Sequence, residues 1–167
     1  AACNDGAARA RGEVLVFLNN DTVPQPGWLD ALLETFGTQP DAGLVGSQLL
    51  YPDGSLQEAG GVVFADGSAW NYGRFESPQD PRFASLRDAD YCSGAALAIP
   101  RTLFESIGGF DARYAPAYYE DTDLAWRGRA RGWRYRYVPE ARMRHVHAAT
   151  SGEWSPQFRF WVERNRL

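Results

Sequence analysis

Two short polar stretches and a late pair of histidines carry the residue types that could do chemistry. Glu120-Asp121-Thr122-Asp123 places three carboxylates within four residues, just behind Tyr118-Tyr119 and a Pro116-Ala117 loop. A carboxylate at a loop-to-helix junction can act as a general base when its surroundings hold its pKa in range. Such residues also complement the dipole of a helix they open, and Asp123 with Arg127 has the i,i+4 spacing of an ion pair. Both readings stand at this level. Three carboxylates behind two tyrosines exceed what capping needs, which makes Asp121 the candidate base and Glu120 its acidic neighbour. Asn19-Asn20-Asp21 offers hard oxygen ligands of the kind that hold a divalent cation, and through it a diphosphate. The same three residues also suit a plain turn after a strand. His145 and His147 stand at i,i+2, on one side of an extended segment, a spacing that can bind metal. No third ligand lies near them in sequence, which favours plain surface or core histidines.

These groups need elements to position them. Val14 to Leu18 is an unbroken apolar run that reads as a strand buried on both faces, as in parallel sheets, with Asn19-Asn20-Asp21 at its carboxyl end. Open α/β sheets bind ligands at that end. Before it, residues 1–11 are Ala-rich and helix-compatible, and Gly12 ends that helix. Trp28 to Phe36 has Trp28, Leu29, Leu32, Leu33 and Phe36 at helical spacing, and Leu44 to Leu50 reads as a second buried strand. Residues 55–90 show only short strand patterns. Their Trp70, Tyr72, Arg74 and Phe75 suit a binding loop or a surface insertion. Tyr91 to Ile99 reads as a buried strand with a close backbone approach at Gly94. Pro100 to Ile107 predicts a short helix with Pro in its first turn. Trp133 to Val138 alternates as a half-exposed strand, Pro139-Glu140 as a turn, and Trp154 to Leu167 as an amphipathic helix.

The bulk numbers exclude several classes. A chain of 167 residues suffices for one domain with a sizeable core. Its net charge of −4 argues against nucleic acid as a partner. All 17 basic residues are Arg, which carries no functional information. Cys3 and Cys92 stand far apart with no zinc spacing around them. No apolar run approaches the roughly 18 residues that cross a bilayer, and no charged leader precedes an apolar core. Ala1 to Ala10 reads as the interior of a helix, so the expectation is a piece of a longer protein.

The order of motifs resembles the family 2 glycosyltransferases of GT-A fold, in the rhamnosyltransferase-like group. It is carried by Asn4 with Gly6, Leu18-Asn19-Asn20-Asp21, Ser93-Gly94-Ala95-Ala96, Gly108-Gly109-Phe110-Asp111, Glu120-Asp121-Thr122-Asp123-Leu124 with Arg127, Gly132 and His145, across nearly all 167 residues. The resemblance implies an α/β chain with a mixed sheet flanked by helices, lacking the first strand-helix-strand portion. Residues 1–54 would be the remainder of the nucleotide-sugar half and 55–167 the acceptor and catalytic half. It implies an inverting transferase moving a sugar from a nucleotide-sugar donor to a hydroxyl of a cell-surface or lipid-linked glycan.

By that resemblance Asp121 is the base, with Glu120 beside it. Asn19, Asn20, Asp21 and His145 hold the diphosphate, and Asp21 with His145 holds Mg²⁺ or Mn²⁺. Ser93, Gly94, Phe110 and Asp111 line the acceptor side. Asn19 stands where the family's metal motif has its first Asp, so this position supplies no charge. The resemblance further implies work in the cytoplasm at the inner membrane face and a chain that is inactive without its preceding unit. A sheet edge exposed by that missing unit would favour dimerisation. Two rival classes remain: a binding module of the same fold without chemistry, and a nucleotidyltransferase, whose usual Gly-rich basic loop is not visible.

Overall fold

A computed structural model describes residues 2–146 and 154–166. After helix α1 (Ala2–Arg9) come β1 (Val14–Leu18), β2 (Thr22–Pro24), α2 (Trp28–Thr38) and β3 (Ala42–Leu50). The middle of the chain forms β4 (Leu56–Ala59), β5 (Gly61–Val63), β6 (Ala69–Asn71) and β7 (Arg87–Asp88). The last part forms β8 (Ala96–Pro100), α3 (Arg101–Ser106), α4 (Glu120–Arg129), β9 (Arg134–His145) and α5 (Pro156–Asn165).

Among the described residues seven strands make one mixed sheet, five in the order β1-β8-β3-β9-β2, with β4 on β3 and β7 on β9. The β3–β9 pair is parallel and its other pairings are antiparallel. Along the edge of β3 opposite β9, β8 pairs at Val45 and Gly46 and β4 takes over at Gln48 to Leu50. Strands from residues 1–54 and 55–167 therefore interleave in a single sheet. Side chains alternate between two buried clusters, as strand geometry requires. Leu44, Leu97, Ile99, Tyr135 and Tyr137 join Leu103, Phe104, Leu124 and Ala125 of α3 and α4 on one face. Val45, Ala96, Ala98, Val138 and Met143 join Trp28 and Leu32 of α2 on the other. Because β1 and β3 both run antiparallel to β8, the carboxyl ends of β1, β3 and β9 point to the same end of the sheet.

Several expectations are corrected. β1 is not buried on both faces: among the described residues it pairs only with β8, and Val16 and Leu18 are 38% and 48% exposed. Antiparallel pairing at a sheet edge leaves alternate side chains open. In α2 the buried stripe is Trp28, Leu32 and Thr35, while Leu29 and Leu33 face outward, because the helix packs on one face only. Pro100 caps α3 from outside its first turn. The 91–99 run becomes strand only from Ala96.

Pro139-Glu140 is not a turn. β9 runs through it for 12 residues, flanked on both edges, so it is largely buried rather than half-exposed. Its register against β3 jumps from Ser47–Val138 to Gln48–Arg142, a bulge that accommodates a proline with no N–H to donate.

α1 closes the fold through Asn4. Its Nδ2 donates to the Phe110 carbonyl at 2.8 Å, and Phe110 N donates back to Oδ1 at 3.0 Å. Gly109, at φ +69°, passes so close that a Cβ would sit 2.9 Å from Asn4 Oδ1. Two hydrogen bonds of about 1 kcal/mol each hold this loop to α1. Asn4→Ala is expected to lower unfolding stability by about 1–2 kcal/mol in urea titration with an unchanged m-value; an unshifted midpoint would mean the clamp contributes nothing.

Candidate active site

The turn after β1 is tied to the sheet at both ends. Asn19 N donates to the Ala95 carbonyl at 2.9 Å, Thr22 Oγ1 donates to the Asn19 carbonyl at 2.5 Å, and Val146 N donates to the Asp21 carbonyl at 3.1 Å. Pairing of β2 with β9 sets Thr22 opposite His145. This brings the Asp21 carboxylate to 3.3 Å from Nε2 of the buried His145. On the other side of the ring, Nδ1 lies 3.1 Å from Gln57 Oε1 on β4.

Burial lowers the His145 pKa, against the charge and hydrogen bond of Asp21. Both ring nitrogens are engaged, Nδ1 by the Gln57 side chain and Nε2 by the Asp21 carboxylate. A histidine fixed by a hydrogen bond at one nitrogen, with a carboxylate at the other, is a common metal-ligand arrangement. An imidazole nitrogen and a carboxylate oxygen are donors that a divalent cation takes; among the described residues no third His, Cys, Asp or Glu joins them. Asn19 and Asn20 lie exposed on the same turn. His147 falls outside the described residues.

The acidic stretch opens α4 as the sequence suggests, but its entry is unusual. Tyr118 and Tyr119 are both left-handed, at φ 76° and 71°. Side chains rarely adopt this conformation, and such strain clusters at functional sites. Three anchors hold it. Asn165 of α5, buried, donates through Nδ2 to the carbonyls of Tyr114, Ala117 and Tyr118 at 2.9–3.1 Å. Ala69 N donates to the Tyr119 hydroxyl at 3.1 Å. Asp123 pairs with Arg127 at 2.6 Å, and Arg127 also donates to the Gly109 carbonyl at 2.7 Å and to the Ile107 carbonyl.

Asp121 is half-buried and accepts Gly94 N at 2.9 Å on Oδ2 and Thr122 N at 2.7 Å on Oδ1. Desolvation raises its pKa against these donors. Burial, then the neighbouring Asp121, pushes Glu120 up to about 8. Both Asp121 carboxyl oxygens are thereby held in place by backbone donors.

Gly94 is thus brought to Asp121 through its backbone N–H, while the neighbouring Ser93 N–H goes to Glu58. Phe110 and Asp111 are not brought into contact with it. The Phe110 ring packs against Phe17 and Phe104, with centroids 5.0 and 5.5 Å away. Asp111 caps the turn at Ala112–Tyr114 and pairs with Arg113, which lowers its carboxyl to about 2. A groove lined by Gln48, Pro78, Phe83 and Glu140 contains none of these site residues. Gln57, Glu58 and Asn165 were not read from the sequence. The first two lie in the weakly patterned middle, where a polar Gln-Glu pair between Leu56 and Ala59 was the available signal. Asn165 lay inside an amphipathic pattern that asked nothing of it.

The glycosyltransferase-like family 2 model matches residues 1–163. The chain belongs to that family. Its relatives include the O-antigen biosynthesis protein RfbC of Myxococcus xanthus, 34% identical over 96% of this chain and 13% of the relative. Another is the N-acetylglucosaminyl-diphospho-decaprenol L-rhamnosyltransferase of Mycobacterium tuberculosis, 33% identical over 83% of this chain and 48% of the relative. The chain thus spans less than half the length of these curated relatives.

Two solved glycosyltransferases share the fold of this family 2 chain, which is the GT-A architecture of a mixed sheet flanked by helices. GalNAc-T7 with UDP, GalNAc and Mn²⁺ matches at TM-score 0.65 and 18% identity, covering 85% of this chain and 29% of that one. The mannosyltransferase PcManGT of Pyrobaculum calidifontis, in complex with GDP-Man and Mn²⁺, matches at TM-score 0.57 and 18% identity, covering 90% and 36%. Among the described residues no helix is long and apolar enough to cross a membrane.

Proposed function

We propose that the full-length protein is an inverting glycosyltransferase that moves a sugar from a nucleotide-diphosphate sugar to an acceptor hydroxyl. The observation that carries this reading is the half-buried Asp121 at the strained entry of α4, with its two oxygens held by Gly94 and Thr122 amides. Family membership supports it, as do relatives named for O-antigen and diphospho-decaprenol chemistry, which favour a lipid-linked or cell-surface glycan as acceptor.

In the reaction, the Asp121 carboxylate takes the proton of the acceptor hydroxyl as that oxygen bonds to the anomeric carbon. The bond from that carbon to the diphosphate oxygen breaks on the opposite face and its electron pair leaves with the diphosphate, so configuration inverts. Asp21 and His145 would hold Mg²⁺ or Mn²⁺, which supplies charge neutralisation for the departing diphosphate. Asn19 and Asn20 would bind the same diphosphate, making 1–54 the donor half. Ser93 and Gly94, with the loop of Phe110 and Asp111, would border the acceptor in 55–167. The protein would work in the cytoplasm, at the membrane face that carries lipid-linked acceptors.

The test is turnover of a panel of uridine-, guanosine- and thymidine-diphosphate sugars by the full-length protein with Mn²⁺, before and after chelation. Cation-dependent release of nucleoside diphosphate is expected. Asp21→Asn and His145→Ala are each expected to weaken Mn²⁺ binding about 10-fold or more, read by spin-resonance titration. Pyrophosphate release would point to a nucleotidyltransferase, and binding without turnover to a module that keeps only the fold.

A further inference from the structure

Glu58 is the least expected charge in the molecule. It lies in the middle of β4, 1% exposed, where β4 takes over from β8 on the edge of β3. Its Oε1 accepts the Ser93 N–H at 2.9 Å, and its Oε2 is buried with no hydrogen-bond partner. The next amide along, Gly94 N–H, is the one that binds Asp121. Two adjacent backbone donors thus hold two acidic side chains from different elements, β4 and α4.

The two carboxyls are unequally hydrogen-bonded. Asp121 receives Gly94 N–H, Thr122 N–H and the Thr122 hydroxyl at 3.3 Å. Glu58 receives one amide, and its other oxygen has no partner. Two neighbouring carboxyls in a poorly solvated site do not both ionise, and hydrogen bonds to the charged form decide which one does.

We propose that Glu58 is a positioning residue for the base, a buried neutral carboxyl that anchors the Ser93–Gly94 amides and leaves the negative charge of the pair on Asp121. This rests on the reading of Asp121 as the base. Glu58 has no route to the substrate, so it acts through the amide pair. Burial, reinforced by Asp121, pushes its pKa up to about 8. Of the other ionisable groups around it, only the Arg87 charge pulls the Glu58 pKa down. The thiol of Cys92 and the phenol of Tyr91 are both held in their neutral forms by burial. The nearby cation, Arg87, is engaged with the Ala59 carbonyl and lies over the rings of Tyr72 and Tyr137 at 4.4 and 5.2 Å.

The test uses the full-length protein in three forms: wild type, Glu58→Gln and Glu58→Leu. Carbon-13 side-chain carboxyl spectra, with Glu58 assigned by its loss in Glu58→Gln, are expected to show Glu58 titrating near pH 8 and Asp121 titrating below it. A carboxyl with a raised folded-state pKa contributes stability that is full below about pH 4.5 and lost as pH rises to about 8. Glu58→Gln, which keeps the amide acceptor and has no proton to lose, should gain on wild type across that window and keep kcat within about threefold at pH 7.

Glu58→Leu removes the acceptor. It should lower kcat by about tenfold or more, leave donor KM in place, and shift the acid limb of the pH–rate profile. Titration of Glu58 below Asp121 would overturn the proposal, as would a folded Glu58→Leu with the wild-type kcat and pH profile. Should Glu58→Leu fail to fold, the titration order and the stability slope of Glu58→Gln decide by themselves. Those two readouts need no turnover, so they stand apart from any failure of the transferase reading.

Discussion

Asp121→Asn is expected to reduce sugar transfer by about 10²–10⁴-fold, the usual cost of removing a general base. The amide has nearly the shape of the acid and keeps an oxygen for the Thr122 N–H. It sets an N–H2 group against the Gly94 N–H in place of an acceptor. The structural loss is one hydrogen bond, about 1 kcal/mol, too little to unfold the chain or to disturb the Asp21–His145 end of the site. Donor binding should therefore survive while kcat falls. A variant that turns over at the wild-type rate would return the acidic stretch to helix capping.

The pH profile gives a second reading of the same residue. Asp121 must be ionised to accept a proton, and desolvation raises its pKa above the ordinary Asp value of about 3.8. The acid limb of kcat/KM should accordingly lie above that value, with activity rising as pH rises through it. An acid limb at or below about 3.8 would show a base in a polar, well-solvated setting, contrary to the geometry.

The second large effect is on stability. Arg127→Ala is expected to cost about 2–4 kcal/mol, read by urea or thermal unfolding. The ion pair with Asp123 is only part of the reason. Arg127 also satisfies the carbonyls of Ile107 and Gly109, and its removal leaves a buried carboxylate and two carbonyls without their donor. Partial exposure of the guanidinium keeps the figure below that of a fully buried pair. The double variant Asp123→Asn/Arg127→Ala should recover part of the loss by removing the stranded charge. Equal stability of Arg127→Ala and wild type would show that Gly108-Gly109 alone shapes this loop.

Elements with dense local signals matched their expected places. The α2 segment, the strand at 44–50, the helix opened by Glu120 and the tail helix formed near the expected positions because apolar spacing, glycine stops and capping act over a few residues. Asp123–Arg127 was legible for the same reason: i,i+4 partners meet on any helix. The errors lay where partners are distant. The exposure of β1 depends on which strands flank it, and the passage of β9 through Pro139 depends on the register that β3 imposes. The packing of the Phe110 ring on Phe17 and Phe104 likewise joins segments far apart in sequence.

The sequence by itself determined the family, the order of elements and the residue types available for a base and a cation, since these are written in motifs and short periodicities. Only the tertiary structure decided which groups meet. Asp21 reaches His145 because β2 pairs with the end of β9, across more than a hundred residues. Glu58 reaches the amide next to that of Asp121 because β4 succeeds β8 along β3. Contacts of that kind depend on strand register and burial, which act between segments that no local pattern links.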